Sequence, residues 1–234
     1  MTLLPKGSAD LNQDLTGMWR NIVKFLYNRV MFLHVNKILA IGAHPDDVEY
    51  SCLGFLLKQK KIGTSISVFT ASNGSRGDML KGNQRVQESA KSWAFNNIEL
   101  HQNNSGNFDY INLEKQIRDL IDENGFDCIL VHDPYDSHQE HRITYDITKS
   151  ALRRLGVSLI RYKSVSSTNL FTSNMLVDIS EYFEVKQTTL KLHESQAHKP
   201  YMSSKSVELF HSIYQPGSDT SVFYESFFIE SLQY

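Results

Sequence analysis

The chain has 234 residues, 41% of them hydrophobic, and a formal net charge of −2. That length suits one large α/β domain better than two small ones, and the near-neutral balance gives no general electrostatic reason to expect nucleic acid. Cys52 and Cys128 are too few for a disulfide scaffold, no apolar run reaches the roughly 20 residues that span a bilayer, and the N-terminal sequence lacks a signal-peptide pattern; a soluble cytoplasmic protein is the expectation.

Residues 1–14 are polar and turn-rich. From Leu15 to Leu33 apolar residues recur at steps of three or four, at Leu15, Trp19, Ile22, Leu26, Val30 and Leu33. This predicts an amphipathic helix. We expect it to dock its apolar face on the domain or on a second subunit of a homo-oligomer. The basic and aromatic residues beside the stripe also suit contact with a membrane surface, which would make the protein peripheral. The predicted organisation is an N-terminal extension, 1–33, and a catalytic domain, 34–234.

Val35 to Ile41 reads as a first, buried strand, an almost continuous apolar run. A helix is predicted over Glu49–Lys61, a strand over Ile66–Thr70, and a turn-rich loop over Ser72–Asp78. Gln84–Phe95 is predicted helical, Ile98–His101 a short strand, and Leu113–Glu123 a helix ending near Gly125. Asp127–His132 reads as a strand, His138–Leu155 as a helix, and Ser158–Tyr162 as a strand. Asn174–Ile179 is a further strand, followed by a helix over Ser180–His193 with a serine N-cap. Val207–Ile213 has no decisive pattern, and Val222–Ile229 reads as a late strand. Alternating strands and helices predict an α/β fold with a mainly parallel sheet and helices on both faces. Ligands of such sheets bind beyond the carboxyl ends of strands.

Two polar clusters occupy such ends. His44-Pro45-Asp46-Asp47 follows the first strand, and Asp136-Ser137-His138-Gln139-Glu140-His141 follows another. Either cluster alone would read as a helix cap or a solvated helix turn. Together they predict one divalent metal site. Zinc (Zn2+) takes nitrogen and carboxylate ligands and leaves a position for water, and His44, Asp47 and His141 are the natural set. Fe2+ or another divalent ion is an alternative for two histidines and one carboxylate. Asp46 is then available as the base that takes a proton from the attacking water. His138 either stabilises the oxyanion or protonates the leaving amine, and Glu140 orients an imidazole. The chain has no phosphate-cradling glycine motif after any strand and no G-x-S-x-G elbow.

Ala43-His44-Pro45-Asp46-Asp47 with Glu49 resembles the first signature of the PIG-L/LmbE-like metal-dependent N-deacetylases. Asp136 to Arg142 is similar to their second. Asn73-Gly74, Arg85-Val86-Gln87-Glu88, Val177-Asp178-Ile179-Ser180, Lys186, His193-Glu194-Ser195-Gln196 and Glu225-Ser226-Phe227 resemble later blocks, so the likeness covers about residues 36–230. It implies a Rossmann-like fold and removal of acetyl groups from N-acetylglucosamine-type sugars, as a small molecule or linked to lipid. By position it implies His44, Asp47 and His141 as zinc ligands and Asp46 as general base. It also implies His138 as transition-state partner oriented by Glu140, and Arg85 as a substrate contact. The chain departs from the pattern at Leu53-Gly54, where many members carry a glycine pair, at Glu140, where aspartate is usual, and in its long N-terminal extension. A hydrolase of another acyl amide or ester, and a non-catalytic sugar-binding protein, are the rival expectations.

Overall fold

The computed structural model describes residues 35–75, 78–213 and 222–233. The helix predicted over 15–33, and with it the whole 1–33 extension, lies outside the described residues.

The chain runs through β1 (Lys37–Gly42), α1 (Asp47–Lys61), β2 (Ser65–Thr70), α2 (Met79–Phe95), β3 (Glu99–Gln102), α3 (Tyr110–Asn124), β4 (Cys128–His132), α4 (Gln139–Ala151) and β5 (Ser158–Tyr162). Then come β6 (Met175–Asp178), α5 (Phe183–Leu190), α6 (Ser204–His211), β7 (Ser212–Ile213) and β8 (Val222–Ser231). Short 3-10 turns occupy Ser180–Tyr182, Glu194–Gln196 and Pro200–Met202.

The sheet order is β3-β2-β1-β4-β5-β8-β6, with β7 also on β8. The first five strands in that order are parallel. β8 runs antiparallel between β5 and β6. The sequence distinguishes the two kinds. β4 is buried at every position, as a central parallel strand covered on both faces must be. β8 is mostly half-buried, and beyond it β6 forms the sheet's far edge. Leu39 and Ile41 of β1 and Ile129 and Val131 of β4 face a core built with Leu113, Ile117 and Ile121 of α3 and Ile147 and Ala151 of α4. Alternation along the strand turns Ile38 and Ala40, both wholly buried, to the opposite face. On that side α1 packs against the sheet and α5.

Two expectations need correction, and one undecided segment is assigned. The helix predicted from His138 begins at Gln139, and His138 is its extended N-cap residue (φ −78°, ψ 123°). The helix predicted over Ser180–His193 is a 3-10 turn followed by a helix that ends at Leu190. Ser180 does not cap it; its hydroxyl accepts a hydrogen bond from Phe223 N–H at 3.0 Å, tying the turn to β8. Val207–Ile213 is mainly the helix α6, which starts at Ser204 with Ser203 accepting from Ser206 N–H at 3.2 Å.

Candidate active site

The turn after β1 is built backwards from a helix cap. Asp46 occupies the N-cap position of α1, but in the left-handed region (φ 99°), and its side chain makes no capping bond. Instead its Oδ1 lies 3.5 Å from the Arg85 guanidinium, and its buried Oδ2 has no hydrogen-bond partner among the described residues. Arg85 is fixed in turn by donating to Pro45 O at 2.8 Å and Gly74 O at 3.0 Å. Gly74 has φ +67°, and a Cβ there would lie 2.1 Å from Arg85 Nη1; only glycine lets the guanidinium approach. Arg85 therefore braces Asp46 from behind.

Asp47 turns the other way. Its Oδ2 accepts from His44 N–H at 2.8 Å and lies 3.3 Å from His44 Nδ1. Its Oδ1 lies 3.4 Å from His141 Nε2. The outer nitrogens of both imidazoles meet carboxylates as well: His44 Nε2 hydrogen-bonds Glu140, and His141 Nδ1 lies 3.1 Å from Asp136 Oδ2. Each ring thus has a carboxylate on its far side and its second nitrogen turned towards Asp47. Metal-ligating histidines carry this backing, which fixes the tautomer and the ring orientation.

Among the described residues, two overlapping groups of three ligand atoms lie within 4.8 Å of one another, His44, His138 and His141, and Asp47, His132 and His141, so the predicted set of His44, Asp47 and His141 is divided between them. The donors are all imidazole nitrogen or carboxylate oxygen, which suits a divalent ion of the zinc type. The electrostatics favour positive charge at this point. Burial works to raise the Asp47 pKa, but His141, His132 and His44 overcome it and hold the carboxyl well below its usual range. Burial works to lower His141, but Asp47 and Asp136 carry it up to about 10. The residues present fit a bound cation.

Sequence reasoning missed His132 and the role of Asp136. His132 ends β4 and is wholly buried. Its Nε2 accepts from Ala43 N–H at 3.1 Å and faces Asp47 Oδ2 at 3.2 Å, while its ring stacks on His141. Burial and His141 push its pKa down to about 4. The lone pair of Nε2 is therefore committed to the Ala43 amide, which makes His132 a fixed wall behind Asp47. Its signal was its place as the last residue of a strand paired in parallel with β1. Asp136 binds His138 N–H at 2.8 Å, His141 and the Ser164 hydroxyl, so one buried carboxylate holds both histidines of the second cluster.

His138 packs against His141 (ring centroids 4.5 Å apart) and His44 (5.0 Å). Burial and the neighbouring His141 and His44 bring it down to about 4, so it is neutral at pH 7. Asp46 shows the opposite tendency to Asp47: burial raises its pKa, Arg85 only partly offsets this, and Asp47 adds to it. His44, Asp46, Asp47, Arg85, His138 and His141 all line one cavity of about 770 Å³. Glu140 does not line it and reaches the site through His44. Behind the site, Glu49 accepts from Ser92 Oγ at 2.6 Å and pairs with His193 Nε2 at 3.1 Å. Among the described residues, no helix is long and apolar enough to cross a membrane.

The family model described as "GlcNAc-PI de-N-acetylase", PIG-L, matches residues 39–152. A curated relative, the uncharacterized deacetylase YaiS of Escherichia coli (strain K12), is 29% identical over 174 residues, covering 68% of this chain and 90% of its own length. Among solved structures, the N,N'-diacetylchitobiose deacetylase of Pyrococcus horikoshii superposes with a TM-score of 0.70 at 18% identity, covering 97% of this chain and 94% of that one. GalB, the 4-carboxy-2-hydroxymuconate hydratase of Pseudomonas putida KT2440, superposes with a TM-score of 0.66 at 11% identity, covering 82% and 95%. At such identities the two structures share the fold with this chain, and the fold alone carries more than one chemistry. The matched segment, 39–152, contains both polar clusters, and over it the chain is similar to the PIG-L family of deacetylases.

Proposed function

We propose that the protein is a zinc-dependent hydrolase that removes the N-acetyl group from an N-acetylglucosamine-type amino sugar or its glycoconjugate. The observation that carries the reading is the pair of carboxylate-backed imidazoles, His44 and His141, both turned towards Asp47. In this reading these three residues hold the metal. A divalent ion held there would polarise the acetyl carbonyl and make a water easier to deprotonate. Asp46, one residue from a ligand and lining the cavity, takes the water's proton and returns it to the leaving amine. Arg85 keeps the Asp46 carboxylate aimed into the cavity. That brace is its main task, and substrate contact is secondary. Neutral His138 donates a hydrogen bond to the developing oxyanion. Glu140 orients His44.

The cavity supports a hydroxylated substrate. Ser75, Gln84, Ser195, Gln196 and Lys199 line it alongside the site, and such groups match sugar hydroxyls better than an apolar aglycone. The rival reading, hydrolysis of another acyl amide or ester, needs the same site, and a substrate panel separates the two. The test is metal analysis with acetate release from N-acetylated sugars. His44→Ala is expected to lose both the metal and the activity. If His44→Ala and Asp46→Asn leave acetate release unchanged, the proposal is wrong.

A further inference from the structure

Residues 85–88 on α2 and residues 193–196 meet beside the cavity. Glu88 is buried at their junction. Its Oε1 accepts from Ser195 N–H and from Gln84 Nε2, each at 2.9 Å, and its Oε2 accepts from the Ser195 hydroxyl at 2.6 Å. Ser195 Oγ in turn accepts from Gln196 Nε2 at 2.8 Å. Gln84, Ser195 and Gln196 all line the cavity that holds Asp46 and Asp47.

This chain of bonds has a direction. A carboxylate only accepts, so the Ser195 proton points at Glu88 and the serine lone pairs are left for the Gln196 amide. The NH2 end of that amide therefore faces Ser195, and the oxygen end is left over. Gln196 is 6% exposed, and its buried Oε1 has no hydrogen-bond partner among the described residues. A buried acceptor in that state costs free energy until a donor reaches it.

The wall that carries Gln196 has its place set from outside. It is made of the 3-10 turns Glu194–Gln196 and Pro200–Met202, with no strand to pair it to the sheet. Glu88 holds it at Ser195, Glu49 at His193 Nε2, and the Tyr50 hydroxyl at Tyr201 O. Arg85, one turn before Glu88, is fixed separately by Pro45 O and Gly74 O, so the brace on Asp46 does not depend on Glu88.

We propose that Gln196 Oε1 accepts a hydrogen bond from a hydroxyl of the bound sugar, and that Glu88, acting through Ser195, is the positioning residue that holds the amide in that orientation. This rests on the deacetylase reading above and adds to it a recognition residue and its support. A plain acyl amide brings no hydroxyl to this wall, so the relay favours a polyhydroxylated substrate.

The test uses the full chain, the methyl glycoside of N-acetylglucosamine and its 3-, 4- and 6-deoxy analogues, with acetate release as the readout. Gln196→Met keeps the shape of the side chain and removes the amide oxygen. It is expected to raise KM for the parent glycoside about tenfold and to leave kcat within about threefold, the pattern of lost uniform binding. The wild type is expected to lose about tenfold in kcat/KM on one deoxy analogue, and Gln196→Met to lose nothing further on it. Glu88→Gln puts a donor where only an acceptor stood, which lets the serine proton and the Gln196 amide turn round. It is expected to raise KM by a similar factor alone and to add nothing in the Gln196→Met background, which a merely structural role would not produce. Metal content and thermal melting check that both variants are intact. Equal cleavage of all four glycosides by the wild type, or the same deoxy penalty in Gln196→Met, overturns the inference and leaves the deacetylase reading standing. Additive effects of the two substitutions, or a fall in kcat with KM unchanged, overturn the role of Glu88. No release from any glycoside by the wild type overturns both the inference and the reading beneath it.

Discussion

Asp46→Asn separates chemistry from metal binding and from folding more cleanly than any other single change. The isosteric amide cannot take a proton from water, so turnover should fall by about 100- to 10,000-fold if Asp46 is the base. At about 1.36 kcal/mol per tenfold, that is roughly 3–5 kcal/mol of barrier. Asparagine is also the right replacement for the backbone. Residue 46 has φ 99°, and asparagine tolerates left-handed geometry better than alanine does. Stability should not suffer. The Asp46 pKa is raised above the ordinary carboxylate value, chiefly by burial, so its ionisation at neutral pH works against folding. The neutral amide removes that cost, while Arg85 keeps its bonds to Pro45 O and Gly74 O. The expected result is full metal content, a melting temperature at or above wild type, and acetate release reduced at least 100-fold. A fall of less than tenfold in kcat, with the metal retained, would refute the assignment of the base.

Asp136→Asn removes the carboxylate that backs His141, and under the proposed function the affinity for added Zn2+ should drop about 10- to 100-fold in a competition with a chelator; an unchanged affinity would mean that Asp136 does not tune His141. Lys186→Met leaves Glu225 without its ion-pair partner at 2.6 Å, both side chains being wholly inaccessible. Urea unfolding should show a loss of about 3–5 kcal/mol, and a loss under 1 kcal/mol would show that Gly54 N–H and Phe55 N–H, which also donate to Glu225, suffice alone. The His193–Glu49 pair predicts a pH dependence. Burial alone would lower His193, but Glu49 raises its pKa above the ordinary 6.5. Its stabilisation is then complete below about pH 6.5 and is lost as pH rises through the raised value. His193→Gln should flatten that part of the curve of urea midpoint against pH, and parallel curves for the two proteins would rule the pair out as its source.

The parallel half of the sheet and the two clusters at the carboxyl ends of its strands were legible because local signals suffice for them. Continuous apolar runs mark buried strands, and histidines beside carboxylates announce themselves. What escaped depends on pairings distant in sequence. His132 looks like the end of an apolar run until β4 is set beside β1. Ser180 looks like a cap until β8 arrives to claim its hydroxyl. Gly54 stands where a glycine pair was expected, and its reason lies far away: a Cβ there would meet Ile179 Cγ2 at 2.5 Å. The antiparallel closure by β8 was hidden in the same way, since strand direction depends on partners and not on the strand's own composition.

The adjacent residues Asp46 and Asp47 show how the fold divides labour that the sequence leaves equal. Both are carboxylates on one turn, and both are buried deeply enough to be pushed towards the neutral form. What separates them is direction. Asp47 points at three imidazoles, which hold its carboxyl well below the usual range, as the metal-ligand role proposed for it requires. Asp46 points away, towards one guanidinium at 3.5 Å, and keeps a raised pKa, as the proton-shuttling role proposed for it requires. The left-handed backbone at Asp46 produces this divergence, because an ordinary N-cap would have folded its side chain back onto α1. The strained residue is therefore the one whose freedom from capping the proposed chemistry needs.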